Sequence, residues 1–304
     1  MAQPIEIAAI LPRTHDGHQF VCYADSCSGI PGSPEEAAFA RVNAVIARLT
    51  PQPQFICFPG DEILGLTDAD TLRAQWRHWL EQQMGWLDRQ AIPLYQCPGN
   101  HTAYDCTSEG VFTEVLAHLP RNGPPGQEGL AYWVRRGDLL LIFVDTLWSG
   151  LGGEGHLETD WLAKTLTDHA DARYKLVFGR HPVHPVGGTS SPYALELAPD
   201  DGQRCWQVLA YCCSHLLTYD VQVHEGVLQI LSGGAGRARQ GHHCVQVALD
   251  HLGLRYQVLD TDGRRWQWLA WPPSLPTATH WTADLTSPLP DTPVGEDAVR
   301  LLAW

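Results

Sequence analysis

A set of polar side chains stands just beyond apolar, β-prone runs: Asp25, Asp61, Asn100, His101, His181, His184 and His215. Asp25 follows the run over 20–24, Asp61 follows 55–58 and a glycine, and Asn100-His101 follow 92–97 and Pro98-Gly99. Arg180, His181 and His184 lie in a loop after 174–178, and Ser214-His215 come after 208–212. α/β proteins gather their sites at the C-terminal ends of strands, so residues distant in sequence can converge there. Carboxylate, amide oxygen and imidazole together suit Zn, Fe or Mn better than Mg.

These positions need an alternating framework, and the intervening sequence supplies one. Ser33 caps a helix with Pro34 at its first position and Glu36 completing a capping box. Ala38, Val42, Val45, Ile46 and Leu49 give that helix an apolar face, and Pro51 and Pro53 end it. A second helix opens at Thr67 and Asp70 and carries Leu72, Trp76, Trp79, Leu80 and Leu87. Residues 131–134 and 139–144 flank Arg135-Arg136-Gly137-Asp138 as a hairpin, and a further helix covers 158–167. Strands follow at 227–231, 244–249 and 254–259, with a third late strand over 265–271. The pattern predicts an α/β sandwich with a mixed central sheet. One domain over 1–271 carries a Pro- and Thr-rich C-terminal extension over 272–304.

The chain has 304 residues, 44% of them hydrophobic, enough for a sizeable core. A formal net charge of -14 argues against nucleic acid as a partner. A small anionic substrate remains compatible with that charge, because a bound metal inverts the local potential. The nine cysteines are odd in number and contain no C-x-x-C pair, which points to reduced thiols. The first 13 residues lack a basic n-region and an apolar run, and no segment is apolar enough to span a bilayer. A cytoplasmic protein without membrane attachment is the expectation.

Asp25, Gly60-Asp61, Gly99-Asn100-His101, the 179–182 loop and Ser214-His215 occur in the order of the calcineurin-like metallophosphoesterases. The sequence most resembles the small purple acid phosphatases, in 174–179, Ala210-Tyr211-Cys212 and 231–236. The resemblance covers roughly residues 20–236 and implies a four-layer α/β/β/α sandwich of mixed sheets. It also implies two metals sharing one aspartate, with a metal-bound hydroxide attacking phosphorus in line. By position Asp61 is the bridging ligand, Asp25 serves the first metal, and Asn100 and His215 serve the second. His101 would protonate the leaving oxygen or hold the phosphate.

The departures from that pattern concentrate on the metals. The family's G-H-x-H is Ser214-His215-Leu216-Leu217 here. Leu64 stands where purple acid phosphatases have a tyrosine ligand, and Cys27 where the wider family has a histidine. The histidine two residues before a proline is Arg180, leaving His181 or His184 to substitute for it. The resemblance thus implies one Fe, Zn or Mn ion at most, or none. Arg180, facing a vacated metal position, is expected to bind phosphate bidentately, with His184 beside it. Each residue also has a plainer reading: Asp61 and Asn100 as turn residues, the histidines as surface, Cys27 as a buried inert thiol.

Two functions compete. One is a metal-dependent, acid phosphatase-like hydrolase of a small phosphorylated substrate, with His101 catalytic. The other is an inactive phosphatase-fold protein that binds a ligand or a protein partner. Thiol chemistry at Cys27 is a third, smaller class. The deciding geometry lies around Asp61. A metal requires Asp25, Asn100, His215 and either His181 or His184 at about 2.0–2.2 Å from a common point. If the Arg180 guanidinium fills that point instead, the metal reading fails.

Overall fold

The computed structural model describes residues 5–6, 17–184 apart from 149, 152 and 156, then 186, 207–238 apart from 225 and 226, and 241–271 apart from 252. The strands in chain order are β1 (Ile5–Glu6), β2 (His18–Cys22), β3 (Leu49–Thr50), β4 (Phe55–Phe58), β5 (Leu94–Gln96), β6 (Tyr132–Arg136) and β7 (Leu139–Phe143). They continue with β8 (Tyr174–Phe178), β9 (Val208–Cys213), β10 (Tyr219–His224), β11 (Val227–Ser232), β12 (His243–Asp250), β13 (Gly253–Asp260) and β14 (Arg265–Trp271). The α-helices are α1 (Pro34–Ile46), α2 (Ala69–His78), α3 (Cys106–Val115) and α4 (Thr159–Asp168). The proposed extension at 272–304 lies outside the described residues.

Two six-stranded mixed sheets carry the fold, ordered β14-β13-β12-β2-β4-β5 and β10-β11-β9-β8-β7-β6. They form the central layers of the α/β/β/α sandwich. Aromatic rings fill the space between them: Phe20 stacks on Phe55 at 4.9 Å, Phe143 on Phe178 at 4.9 Å, and Phe20 meets Phe178 edge-on at 6.3 Å. Such pairs add to simple area burial. Phe39, Val42, Leu72, Trp76 and Val111, from α1, α2 and α3, belong to that same core. On the far face of the second sheet, Leu162 and Leu166 of α4 pack with Leu140, Ile142 and Val177.

Within the sheets, β2, β4 and β5 run parallel, as do β7, β8 and β9. Their C-terminal ends deliver Asp25, Asp61 and Asn100 from one sheet, and Thr146, Arg180 and His215 from the other. The site is therefore built across the seam between the sheets.

Several local expectations need correction. Ser33 caps α1 by accepting the Glu36 N–H, yet the Glu36 carboxylate turns to Gly32 N–H and His78 rather than closing a capping box. The second helix is capped by Asp68 and ends at His78, passing into a π-helical turn over Trp79–Gln83, so Leu87 lies beyond it. Helix α3 and strand β10 were not among the expected elements. A capping box between Asp105 and Ser108 starts α3, and Tyr219, Val221 and Val223 alternate inward along β10.

Candidate functional site

Arg180 occupies the point where the strand ends converge. Its Nη1 donates to Asp25 Oδ1 at 2.6 Å and to Ser214 Oγ at 2.8 Å. Its Nη2 donates to Asp61 Oδ2, and its Nε to Asn100 Oδ1 at 3.1 Å. The residue is 1% exposed. The outer carboxylate oxygens are also engaged: Asp25 Oδ2 accepts the His215 N–H at 3.1 Å, and Asp61 Oδ1 accepts the His101 N–H at 2.8 Å. Asn100 Oδ1 takes a second partner, His215 Nδ1, at 3.1 Å.

The backbone is bent to make this possible. Asp25, Asp61 and His215 adopt left-handed φ angles of 63, 59 and 77°. Such conformations cost free energy in non-glycine residues and cluster at functional sites. Gly99 lies against Asp61 so closely that a Cβ would collide with its carboxylate and backbone nitrogen.

The charges do not balance. One guanidinium faces two buried carboxylates. Burial pushes Asp25 up to about 6, against the pull of Arg180 and with the help of Asp61. Burial also opposes the charge on Arg180, but Asp25 and Asp61 outweigh it and hold the guanidinium above its ordinary value. Glu62, next along the chain, is driven well above its ordinary value, chiefly by burial. The centre is consequently neutral to anionic, an unfavourable seat for a phosphate dianion.

No protein-family profile and no curated protein matches the sequence. Solved structures do match. A purple acid phosphatase from yellow lupin (Lupinus luteus) aligns with TM-score 0.60 and 14% identity over 88% of this chain, which spans 57% of that enzyme. The anchor in the inner membrane complex of Plasmodium aligns with TM-score 0.58 and 14% identity, over 86% of this chain and 90% of that one. PhoD aligns with TM-score 0.54 and 10% identity, over 88% and 70% of the respective chains. This is the calcineurin-like metallophosphoesterase fold.

A two-metal centre of the metallophosphoesterase kind does not fit these residues. The cation among Asp25, Asp61 and Asn100 is already a guanidinium, and each oxygen expected to ligate accepts an N–H instead. Asp25, Asp61 and Asn100, expected as metal ligands, face Arg180 in the structure. Arg180, expected to bind phosphate, donates from Nε, Nη1 and Nη2 to protein oxygens. His181 does not take the missing ligand's place beside Asp61. Its ring turns to Thr146 Oγ1, 2.8 Å from Nδ1, and burial with the neighbouring His215 and Arg180 lowers its pKa to about 2. His184 is held through its backbone N–H and carbonyl by the Gln229 side chain. His101 donates Nδ1–H to Leu64 O at 2.6 Å.

Two groups of candidate metal ligands exist among the described residues: Cys27 with Asp61 and His101, and Glu154 with His181 and His215. The first is compromised. Burial, then Asp61 and Asp25, push the Cys27 thiol well above its ordinary pKa, and both Asp61 oxygens are taken. That shift also denies Cys27 the thiolate a nucleophile requires. The second group includes Glu154, which sequence reasoning missed, as it missed Thr146. Thr146 carried a usable signal, standing just after an apolar strand; Glu154, in a glycine-rich loop, carried none.

Proposed function

We propose that this chain is a phosphoesterase-fold protein that binds a protein partner and does not hydrolyse phosphate esters. The observation that carries this reading is the Arg180 guanidinium held by Asp25, Asp61, Asn100 and Ser214. Hydrolysis in this fold needs a metal both to make the nucleophile and to neutralise the developing charge. A guanidinium can do the second in part and the first not at all, because its proton is not lost in the accessible pH range.

The loops around this centre support a binding role. Ile30, Leu66, Trp148 and Leu151 are the exposed large hydrophobic residues among those described. They sit on the loops that follow β2, β4 and β7, the strands whose ends also lead to Asp25, Asp61 and Thr146. The loops after β4 and β7 are both tied to the α3 region: Thr67 O accepts from Tyr104 Oη, and the Gly150 N–H donates to Glu109 near the start of α3. Exposed apolar patches mark interaction sites. With a formal charge of -14, the complementary partner is a protein segment carrying apolar and basic residues. A neighbour of the same fold, the Plasmodium inner membrane complex protein, is described as an anchor.

The purified chain, assayed with nitrophenyl phosphate and bis(nitrophenyl) phosphate plus Mn, Fe or Zn, is expected to give no turnover above the metal alone. Metal-stimulated turnover that vanishes in Asp61→Asn would overturn the reading. On the binding side, peptides selected against the chain should be rich in basic and aromatic residues. Trp148→Glu should weaken them about tenfold, the loss expected of an interface anchor.

A further inference from the structure

The Arg180 centre leaves two imidazoles turned away from it. His181 and His215 lie with ring centroids 4.6 Å apart, roughly edge to face. Each has its Nδ1 on a protein oxygen: His181 at Thr146 Oγ1, 2.8 Å, and His215 at Asn100 Oδ1, 3.1 Å. That leaves Nε2 as the nitrogen His181 can offer, and His215 directs its Nε2 to Glu154 Oε1 at 3.7 Å. One ligand atom from each of Glu154, His181 and His215 lies within 4.8 Å of the others.

We propose that Glu154, His181 and His215 form a mononuclear site for a zinc-class divalent cation, displaced from the position the fold ordinarily uses. Two imidazoles and a carboxylate are a zinc ligand set. At about 2.1 Å from the ion, tetrahedral ligand atoms stand roughly 3.4 Å apart, so the His215–Glu154 pair is already nearly in place. The outer contacts are also those of a metal site, where a hydrogen bond to one ring nitrogen fixes the orientation of the other. Asn100 links the two centres, because its Oδ1 accepts from both Arg180 and His215.

Glu154 is presented by a clasped loop rather than by a helix or a long strand. Leu147 and Glu154 pair as an isolated antiparallel bridge, with Trp148 N–H on Gly153 O and Gly155 N–H on Thr146 O, both at 3.0 Å. The same short loop therefore supplies Glu154 as a ligand and Thr146 as the partner that orients His181. His181 is buried, whereas the Glu154 and His215 side chains are 34% and 26% exposed. An ion there would lie near the surface, with its fourth position open to water or to a side chain of a bound partner.

Titration of the full chain with Co(II), followed by visible absorption and calorimetry, tests the site. The expected result is one equivalent bound with ligand-field bands of nitrogen and oxygen donors, displaced by Zn(II). Glu154→Gln and His215→Gln should weaken binding strongly, and Thr146→Val about 10- to 100-fold, as loss of an orienting partner does. Cys106→Ser, which removes an exposed thiol, should change nothing. Thermal melts of the partly exposed Glu154→Gln variant verify that it remains folded. Absence of saturable binding, binding indifferent to Glu154→Gln, or thiolate charge-transfer bands would overturn the proposal. Hydrolysis that depends on Glu154 would overturn the non-hydrolytic reading above and leave this site standing.

Discussion

Arg180 Nη1 and Asp25 Oδ1 lie 2.6 Å apart, with side-chain exposures of 2% and 0%, and the same guanidinium reaches Asp61 on its other side. A buried charge stripped of its partner is expensive, whereas the whole set replaced by neutral groups is often tolerated. Arg180→Met should thus cost about 3–5 kcal/mol, read as a lower urea midpoint. Adding Asp25→Asn and Asp61→Asn to it should recover most of that loss. A single variant as stable as the parent would mean that the two carboxylates are neutral in the folded protein.

Exchanging the guanidinium for an imidazole tests what it excludes. Arg180→His frees Asp25, Asp61 and Asn100 and supplies the residue type the resemblance places there. In a Glu154→Gln background, which silences the displaced site, this variant should bind Mn(II) or Zn(II) that the background alone does not. The readouts are metal stoichiometry after desalting and a melting temperature raised by added metal. A variant that takes up no more metal than its background would show that the departures at Leu64, Cys27 and Leu217 are enough to forbid binding.

The positions around Arg180 were legible because each follows an apolar strand, and strand ends gather sites in α/β folds. The sequence also posed the alternatives correctly: a common metal point, or a guanidinium filling it. It could not choose between them, since Arg180 is bonded to residues 155, 119 and 80 positions away. Charge arithmetic was the overlooked clue. Two aspartates in buried loops need a cation, and Arg180 was the residue at the ligand's place. Helix α3 escaped notice because Gly110 and four β-branched residues (Thr107, Val111, Thr113 and Val115) weaken its propensity. Glu154 escaped because only contact with His215, 61 residues further on, gives it a role.

Gly99 packs directly on the Asp61 carboxylate and backbone nitrogen, where an added Cβ has no room. Gly99→Ala must displace either Asp61 or the 98–101 turn, and both are fixed by hydrogen bonds. A loss of about 1–3 kcal/mol is expected, typical of a steric intrusion into a packed site. Chemical denaturation measures it. Gly110→Ala provides the reference: that glycine, like Gly99, has no left-handed φ, and nothing lies within 4 Å of an added Cβ. If the two substitutions have the same effect, the close approach to Asp61 is not what requires a glycine at position 99.

Asp145 is buried just beyond β7, accepting the Leu147 N–H at 2.9 Å. Burial raises its pKa to about 7, against the pull of that N–H and with a small push from Glu109. Below about pH 4 the carboxyl is protonated in folded and unfolded chains alike, so it contributes no pH dependence there. Between about pH 4 and pH 7 the unfolded chain ionises first, and stability falls as pH rises. Above pH 7 the loss is complete, on the order of 4 kcal/mol at 1.36 kcal/mol per unit. Asp145→Asn keeps an acceptor for Leu147 and removes the ionisation, so its advantage over the parent should grow from pH 4.5 to pH 8 in urea melts. A difference that does not change with pH would mean that Asp145 ionises in the folded protein as readily as in water.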